Sequence, residues 1–571
     1  MRPDILLLST PNKNIDYPGL SLPVLAAALR QRGLTVEQQD LNMVIRDRIL
    51  TEEGLAGLLE SSLPAYARYY ARRHTDLQRL LAIQSFLLKV RNEWTLQAVV
   101  EVKRRAQSRD YEWIFSEGGR FERFTTLFKI NRALHYILDT AVELSYGNHD
   151  DYITALVRQY LERTIADIKN KRPLLVGFSV LDIQRAFSRR IVTSLRAEYD
   201  GTIALGGADP TRFPMEYMEQ WKEIDMVFDR EAEVSLPAVI NELDRSPVCL
   251  DSIPGIYYRD GEGAIRQNRR APVDLSDIPT PDFRGLPLEL YLTPALPVQA
   301  SRGCYWQKCR FCIHWDTYSD FHVRRAERVC EDIGSLVSQY GTRYFHFTDD
   351  CLPVPHARRL VELLQTSGLD VRWLAYFRLE ADLDRSMLEA IWRAGGRVLE
   401  MGLESASERV LGLMRKNITP GVAKRIVSDA AAVGLLVKLF MFHGYPGERA
   451  ADLERTIEFT EKMIKERKIR AFYPLRNRFE LLRGSDIYET AVGGREAEIA
   501  RCWVPSGLFG IRAEYELVEE EESARAMVST FVRQIRGYMR DGRIYSVDDE
   551  NVMVDLLVLD RQPLGCGWGC L

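Results

Sequence analysis

Short apolar runs closed by turn residues alternate with amphipathic stretches along most of this chain, and one long interval breaks the alternation. Asp4 to Leu8 is an apolar run bounded by Ser9-Thr10-Pro11-Asn12, the pattern of a buried parallel strand leaving into a loop. Ser21 to Gln31 has helical periodicity and meets Gly33 where a helix is expected to be capped. Val36 begins a second strand that ends near Asp40. This β-α-β opening predicts a doubly wound sheet, whose ligands sit at the carboxyl ends of its strands.

From about residue 45 to 169 the text is rich in Leu, Tyr and Arg and repeats its apolar positions at helical spacing, which predicts a helical insertion. Such an insert is more often a structural cap than a recognition surface. The sheet resumes with a strand at Leu174 to Ser179, a helix at Arg185 to Tyr199, a strand at Ile203 to Leu205 and another at Met226 to Phe228, so the first domain is expected over residues 1–250. The interval 251–296 is rich in proline and turn residues and is expected to be a linker, with a small hairpin at Gly255 to Gln267.

A second alternation follows. Strands are predicted at Val298 to Ala300, Tyr344 to Phe347, Val371 to Tyr376, Val398 to Met401, Val437 to Met441 and Ala471 to Tyr473, with helices between them. Six β-α units over 297–473 predict a partial (β/α) barrel, in which residues directly after each strand are the functional candidates. Beyond Tyr473 the pattern weakens, leaving a small C-terminal region (474–571), α/β or helical, with a helix expected at Glu522 to Met539. The fold class is therefore α/β with two sheet-based domains.

Composition changes this picture little. A length of 571 residues calls for two to four domains, and 46% hydrophobic with 28% charged residues is that of a soluble globular chain. A net charge of -4 gives no general attraction to nucleic acid, and Lys103-Arg104-Arg105 reads as a solvated helix face. The apolar run after Met1-Arg2-Pro3-Asp4 is too short for a signal peptide and no segment has the length of a membrane span, so a cytoplasmic protein without membrane or nucleic-acid partners is expected. Nine cysteines, an odd number with three clustered, fit a reducing compartment better than a disulfide framework.

Those three define the candidate chemistry. Ser301-Arg302-Gly303-Cys304-Tyr305-Trp306-Gln307-Lys308-Cys309-Arg310-Phe311-Cys312 places three thiols within nine residues, just after a predicted strand. A structural zinc would need a fourth ligand, for which His314 is one candidate without a second cysteine pair. A [4Fe-4S] cluster held by three cysteines keeps one iron open for a substrate or cofactor, and the spacing favours it.

The stretch from Arg302-Gly303-Cys304 to Phe311-Cys312 resembles the cluster loop of the radical S-adenosylmethionine (SAM) superfamily, with four residues instead of the common three between the first two cysteines. The resemblance implies that Cys304, Cys309 and Cys312 hold a [4Fe-4S] cluster. It further implies SAM binding by Phe311 in the loop, Asp349 and Arg378 after the second and third barrel strands, Glu404 and Ser405 after the fourth, and Gly444, Tyr445, Pro446 and Gly447 after the fifth. Asp350 and Glu448 are equally open to a helix-capping role.

In the first domain, Pro18-Gly19-Leu20-Ser21-Leu22, Val176-Gly177-Phe178-Ser179, Gly206-Gly207-Ala208-Asp209-Pro210-Thr211 and Asp225 to Glu233 occur in that order ahead of the cluster loop. Together they resemble the cobalamin-binding domain of cobalamin-dependent radical SAM enzymes, over Asp4 to Asp40 and Leu174 to Leu243. The resemblance implies a corrin near Ser9, Pro11, Gly19, Ser179, Leu181, Gly206, Gly207, Ala208 and Glu231. None of the eight histidines lies in the sheet segments of this domain, and the Asp-x-His-x-x-Gly motif is missing, so cobalt is expected to lack a histidine from it. A Rossmann-like domain without a ligand, or one for a nucleotide, is the alternative; Gly-x-Gly-x-x-Gly is missing after the first strand.

The resemblance implies an enzyme: a C-methyltransferase that moves a methyl group from SAM through cobalamin to a carbon made radical by a 5'-deoxyadenosyl species. A cyclase or ring-rearranging enzyme with the same cofactors is the alternative, and an iron-sulfur or cobalamin sensor comes from another class. The expected partners are a small-molecule or peptide substrate and an external electron donor of flavodoxin or ferredoxin type. The Cys566 and Cys570 pair near the C-terminus reads as a disordered end, with a metal ligand or redox pair as the alternative.

Overall fold

A computed structural model describes residues 2–13, 15–71, 96–115, 120–314, 318, 320–469, 471–472, 477–503, 512–517 and 522–540. The expectations for Tyr473 and the Cys566/Cys570 tail lie outside these. The chain divides into two compact units, 1–273 with 277–295 and 274–276 with 296–571.

The first unit is built on a seven-stranded sheet. Its strands are β1 (Ile5–Ser9), β2 (Val36–Asp40), β3 (Leu175–Ser179), β4 (Thr202–Gly206), β5 (Met226–Phe228), β6 (Ile256–Arg259) and β7 (Ile265–Gln267), in the order β2-β1-β3-β4-β5-β6-β7. The first five are parallel, which gives the flavodoxin-like 2-1-3-4-5 order with its switch point between β1 and β3. Every residue of β1 is buried, as a central parallel strand covered on both faces requires. β6 and β7 are antiparallel and extend the edge. Nearly all of the stretch expected to be a linker is thus part of the first unit: the apolar Ile256, Tyr257 and Tyr258 are buried against β5, whereas the turn at Gly261 and Gly263 and the outer Arg266 and Gln267 of β7 are exposed.

The helical insertion spans Leu41–Ile49 to Tyr152–Lys171, with Leu96–Gln107 and the 25-residue Arg120–Leu144 between them. Its polar residues grip the loop after β1. Asn12 donates to the His135 carbonyl at 3.2 Å and to Asp139, while Arg46 donates to Asn42 at 2.6 Å and to the Asn131 carbonyl at 2.8 Å. A left-handed φ of 81° at Asn12 turns the loop toward these partners.

The second unit carries a six-stranded, wholly parallel sheet. In chain order these strands are β8 (Leu296–Val298), β11 (Tyr344–Phe347), β12 (Arg372–Phe377), β13 (Gly396–Glu404), β14 (Leu436–Met441) and β15 (Ala471–Phe472), each paired with the next. Two short strands, β9 (Ser301–Arg302) and β10 (His322–Val323), pair antiparallel beside it. A further sheet of β16 (Leu481–Leu482), β17 (Ile499–Trp503) and β18 (Arg512–Leu517) follows, then the helix Glu522–Arg540. Register and alternation sort the large sheet into two faces. One bears Phe345, Phe347, Trp373, Leu399, Met401, Leu439 and Met441, all buried, and meets the outer helices, as in the contact of Thr460 with Met441. The other bears His346, Tyr376, Glu400, Gly402, Lys438 and Phe440, a polar interior quite unlike the aliphatic packing of a closed barrel.

Candidate active site

The cysteine loop starts from a pinched base. Arg302 of β9 faces His322 of β10 in the antiparallel ladder, and Gly303 then takes a φ of +73° that a side chain would resist. The loop's residue count is absorbed at Gln307, inside the four-residue spacer, where φ is +51°. Cys312 closes the turn by donating its N–H to the Cys309 carbonyl at 3.2 Å. From the other side the segment after the helix Glu408–Leu413 supports the loop: the Arg310 N–H donates to the Met414 carbonyl at 3.1 Å, and the Trp306 indole donates to the Arg415 carbonyl at 3.0 Å.

All three cysteines are half-buried and none is in a disulfide. A hydrogen bond from the Cys351 thiol holds Cys304 down at about 6, whereas burial raises Cys309 and pushes Cys312 up to about 12. Lys416 and Arg378 act on Cys309 in the opposite sense, since both cations favour its thiolate. Among the described residues no group of three or more His, Cys, Asp or Glu converges around a single metal ion. An iron-sulfur cluster asks for less convergence, because each thiolate meets a different iron, and three cysteines flanked by two cations fit it.

The strand ends surround this loop. Asp349 after β11 is buried, and its carboxylate accepts from the Ala300 N–H at 3.1 Å and the Ser301 hydroxyl at 2.6 Å. Burial raises its pKa to about 7. Asp349 thus ties the start of the cysteine loop to β11, and the neighbouring Asp350 is half-buried. Its Oδ2 is buried with no hydrogen-bond partner, and its Oδ1 lies 3.4 Å from His314 Nδ1. An orphaned carboxylate oxygen beside a cluster loop fits the ammonium of an amino-acid ligand.

Arg378 after β12 donates to Glu380 at 2.8 Å and to the Lys416 carbonyl at 2.7 Å, and its guanidinium lies 4.4 Å over the Trp306 ring. Glu404 ends β13 beyond a register shift, with a φ of +65° that is costly for a side-chain-bearing residue. Its carboxylate folds over Gly402, where a Cβ would lie 2.3 Å from Oε1, and pairs with Lys416 Nζ at 2.7 Å. Lys416 also lies 5.6 Å over the Phe311 ring. The sequence reading missed Lys416, because it follows a short helix rather than a strand.

The remaining expected SAM contacts divide. Phe311 is half-buried and packs edge-on against Phe442. Ser405 turns away into a buried contact with Thr456 at 3.1 Å, supporting the helix Ala450–Lys465. Gly444 is half-buried, has a φ of +76° and donates its N–H to Glu448 at 2.5 Å. Tyr445 and Pro446 are buried, Tyr445 packs on Phe479, and the Gly447 carbonyl accepts from Arg409. The Arg478 side chain lies against Gly444, 3.2 Å from where a Cβ would stand.

At the carboxyl edge of the first sheet the loops interlock. Ser9 is buried and accepts from Gln184 at 3.3 Å, Pro11 is buried, and Leu181 is half-buried with its N–H on Gln184 at 3.0 Å. Ser179 meets Ser21 at 3.0 Å. Gly19 lies under Lys13, whose Nζ would be 1.7 Å from an added Cβ. The paired glycines differ in role. Gly207, with a φ of +97°, packs on Val180 so closely that a Cβ would lie 2.7 Å from its backbone, whereas a Cβ on Gly206 would meet only Phe228, at 3.7 Å. Asp209 holds this turn through Arg185, at 2.6 and 2.9 Å. Ala208 and Glu231 are half-buried, and the Arg230 N–H donates to Thr211 at 3.2 Å, tying the β5 loop to the β4 loop. An edge of small and hydroxyl side chains around Gly206 fits a large flat ligand.

Comparison with known proteins bears on both units. Residues 298–460 match the model of the radical SAM superfamily. An uncharacterized methyltransferase of Pyrococcus horikoshii is 28% identical over 270 residues, covering 46% of this chain and 58% of the relative. The anaerobic magnesium-protoporphyrin IX monomethyl ester cyclase of Rubrivivax gelatinosus is 24% identical over 331 residues, covering 55% of this chain and 59% of the relative. The chain thus spans less than two thirds of the length of either. Among solved structures, the cobalamin-dependent SAM radical enzyme OxsB, with aqua-cobalamin and SAM bound, superposes with a TM-score of 0.61 at 15% identity, over 94% of this chain and 66% of that one. The radical SAM methyltransferase TsrM of Kitasatospora setae, with tryptophan and a SAM analogue bound, gives 0.61 at 16% identity, over 95% and 90%. Residues 298–460 are therefore a radical SAM superfamily domain, in a chain that shares the fold of cobalamin-dependent radical SAM enzymes.

Proposed function

We propose that this chain is a cobalamin-dependent radical SAM enzyme that methylates an unactivated carbon of a small-molecule or peptide substrate. The supporting observation is the combination, in one chain, of a 2-1-3-4-5 sheet with an open glycine at its ligand edge and a parallel six-stranded sheet with a three-cysteine loop at its carboxyl end. Likeness to TsrM over 90% of that methyltransferase supports methyl transfer.

In this reading Cys304, Cys309 and Cys312 hold the cluster, and Lys416 and Arg378 stabilise their thiolates. Asp350 accepts the ammonium of SAM, Glu404 is held by Lys416 toward its hydroxyls or carboxylate, and Phe311 offers a ring face to its flat end. Bound there, SAM supplies a carbon radical after one-electron reduction, and cobalamin near Gly206, Ser179 and Ser21 supplies a carrier for the methyl group. The polar inner face with His346, Tyr376, Glu400 and Lys438 receives the substrate.

The test is product stoichiometry with the anaerobically reconstituted protein. Methylation consumes two SAM molecules for different ends, so S-adenosylhomocysteine and 5'-deoxyadenosine accumulate in about equal amounts with substrate present, and methyl-labelled SAM labels the product. Product without added methyl mass and without substrate-dependent S-adenosylhomocysteine rejects methyl transfer in favour of a cyclisation, the activity named for the Rubrivivax relative.

A further inference from the structure

A fourth thiol stands at the cysteine loop. Cys351 follows Asp349 and Asp350 after β11 and is buried, whereas Cys304, Cys309 and Cys312 are half-buried. The motif over 302–312 gives no sign of it, because it arrives from a different strand end.

The chain around Cys351 is pinned on both sides. Ahead of it, the Asp349 carboxylate accepts from the Ala300 N–H and the Ser301 hydroxyl; behind it, the Leu352 N–H donates to the Tyr376 carbonyl of β12 at 2.9 Å. The thiol is thereby held against the start of the loop, in hydrogen-bonding contact with the Cys304 sulfur and the Tyr305 hydroxyl. Tyr305 in turn donates to Glu380 at 2.7 Å, and Arg378 holds Glu380 at 2.8 Å. The one phenol proton is committed to Glu380, and a sulfur that carries negative charge is a stronger acceptor than a phenol oxygen, so the Cys351 S–H is directed at Cys304.

Three donors converge on Cys304. The backbone N–H groups of Trp306 and Gln307 reach its sulfur as well. Successive N–H groups beside a left-handed residue, here Gln307 with a φ of +51°, form a nest that holds an anion. The charge of Cys309 is met differently, by the cations Lys416 and Arg378. Of the three donors on Cys304, Cys351 alone is a side chain, so it alone can be removed by substitution.

We propose that Cys351 is a positioning residue that donates its S–H to the Cys304 thiolate and so raises the reduction potential of the cluster held by Cys304, Cys309 and Cys312. The inference rests on the cluster assignment above. A cluster becomes more negative on reduction, and hydrogen bonds to its sulfurs favour the reduced form. Cys351 itself binds no iron and keeps its proton, and no bond is made or broken.

The test compares the wild-type holoenzyme with C351A and C351S in redox titrations without SAM, followed by the paramagnetic resonance of the reduced cluster. C351A removes the donor and should lower the midpoint. At the wild-type midpoint its ratio of reduced to oxidised cluster should be about threefold lower, a shift of about 28 mV at about 59 mV per tenfold. C351S keeps a donor and should recover most of that shift, and iron content should be unchanged in both variants. Electron-nuclear double resonance in light and heavy water should show one exchangeable proton coupled to the reduced wild-type cluster that is missing from C351A. Equal midpoints in wild type and C351A overturn the proposal, as does an equal fall in C351A and C351S, which would mean that the thiol only fills space. Loss of iron from both folded variants would make Cys351 a ligand and overturn its role as donor. Wild-type protein that binds no cluster iron overturns the cluster assignment itself, and iron analysis tells the two failures apart.

Discussion

Lys416 and Glu404 form a buried ion pair whose side chains are 9% and 10% exposed, beside the thiol of Cys309 and the ring of Phe311. Two charges taken out of water gain little net stability, but removing one partner leaves the other stranded. Lys416→Met should therefore destabilise the domain by about 3–5 kcal/mol, and E404Q/K416M should recover most of the loss. Denaturant midpoints of the wild type and these two variants check this; equal stability of the single and double variants would mean that the pair is not coupled. His346 supplies a pH dependence at the same scale. Burial pushes its pKa down to about 3, against about 6.5 in an unfolded chain. A folded-state value below the unfolded one contributes stability above about pH 6.5 that is lost progressively as pH falls toward 3. The unfolding midpoint should fall from pH 7 to 4.5, and His346→Gln should flatten that part of the profile.

At the scale of elements, the strands that organise both units were legible because parallel strands covered on both faces are plain apolar runs. Val36–Asp40, Met226–Phe228 and Tyr344–Phe347 coincide with their expected bounds, Leu296–Val298 lies two residues before the expected Val298 to Ala300, and Gly396–Glu404 runs two residues before and three beyond the expected Val398 to Met401. The helix Ser21–Gln31 also coincides. Other features depend on contacts between distant segments, which local pattern does not carry. The hairpin after Gly255 is too short to announce that it joins a sheet. Of two adjacent aspartates, only the fold shows that Ala300 and Ser301 occupy Asp349 and leave Asp350 with an oxygen to spare. Lys416 has no motif around it, and Ser405 is turned to Thr456 by packing. The paired glycines were legible as a close approach, but not that Gly207 makes it to Val180 while Gly206 stays open. Gly207→Ala combines a left-handed residue, costing about 1–2 kcal/mol, with a backbone collision at 2.7 Å. It should lower the unfolding midpoint and weaken cobalamin binding, read by the change in cobalamin absorbance. Gly206→Ala, which has room within the fold, should leave stability nearly unchanged and affect cobalamin binding alone.

At the scale of the molecule, the two units hold separate sheets with separate ligand edges, and among the described residues no helix is long and apolar enough to cross a membrane. The loops proposed for cobalamin follow β1, β3, β4 and β5, all in the first unit; the cysteines and the strand ends proposed for SAM are all in the second. Each set is tied down by hydrogen bonds within its own unit, such as Asp209 with Arg185 and Asp349 with Ser301. Loading of the two cofactors should therefore be separable. C304A/C309A/C312A should lose the broad absorbance near roughly 400 nm that iron-sulfur charge transfer gives, together with its iron, while still binding cobalamin with wild-type affinity. Gly206→Ala should show the converse, with full iron and weakened cobalamin. Cobalamin carries its own visible bands, so iron and cobalt are to be measured by elemental analysis on the same samples. A triple cysteine variant that retains a full complement of iron would remove the cluster from this loop. One that folds but loses cobalamin as well would show that the corrin is held by residues of the second unit, and that the β1, β3, β4 and β5 loops do not form its site alone.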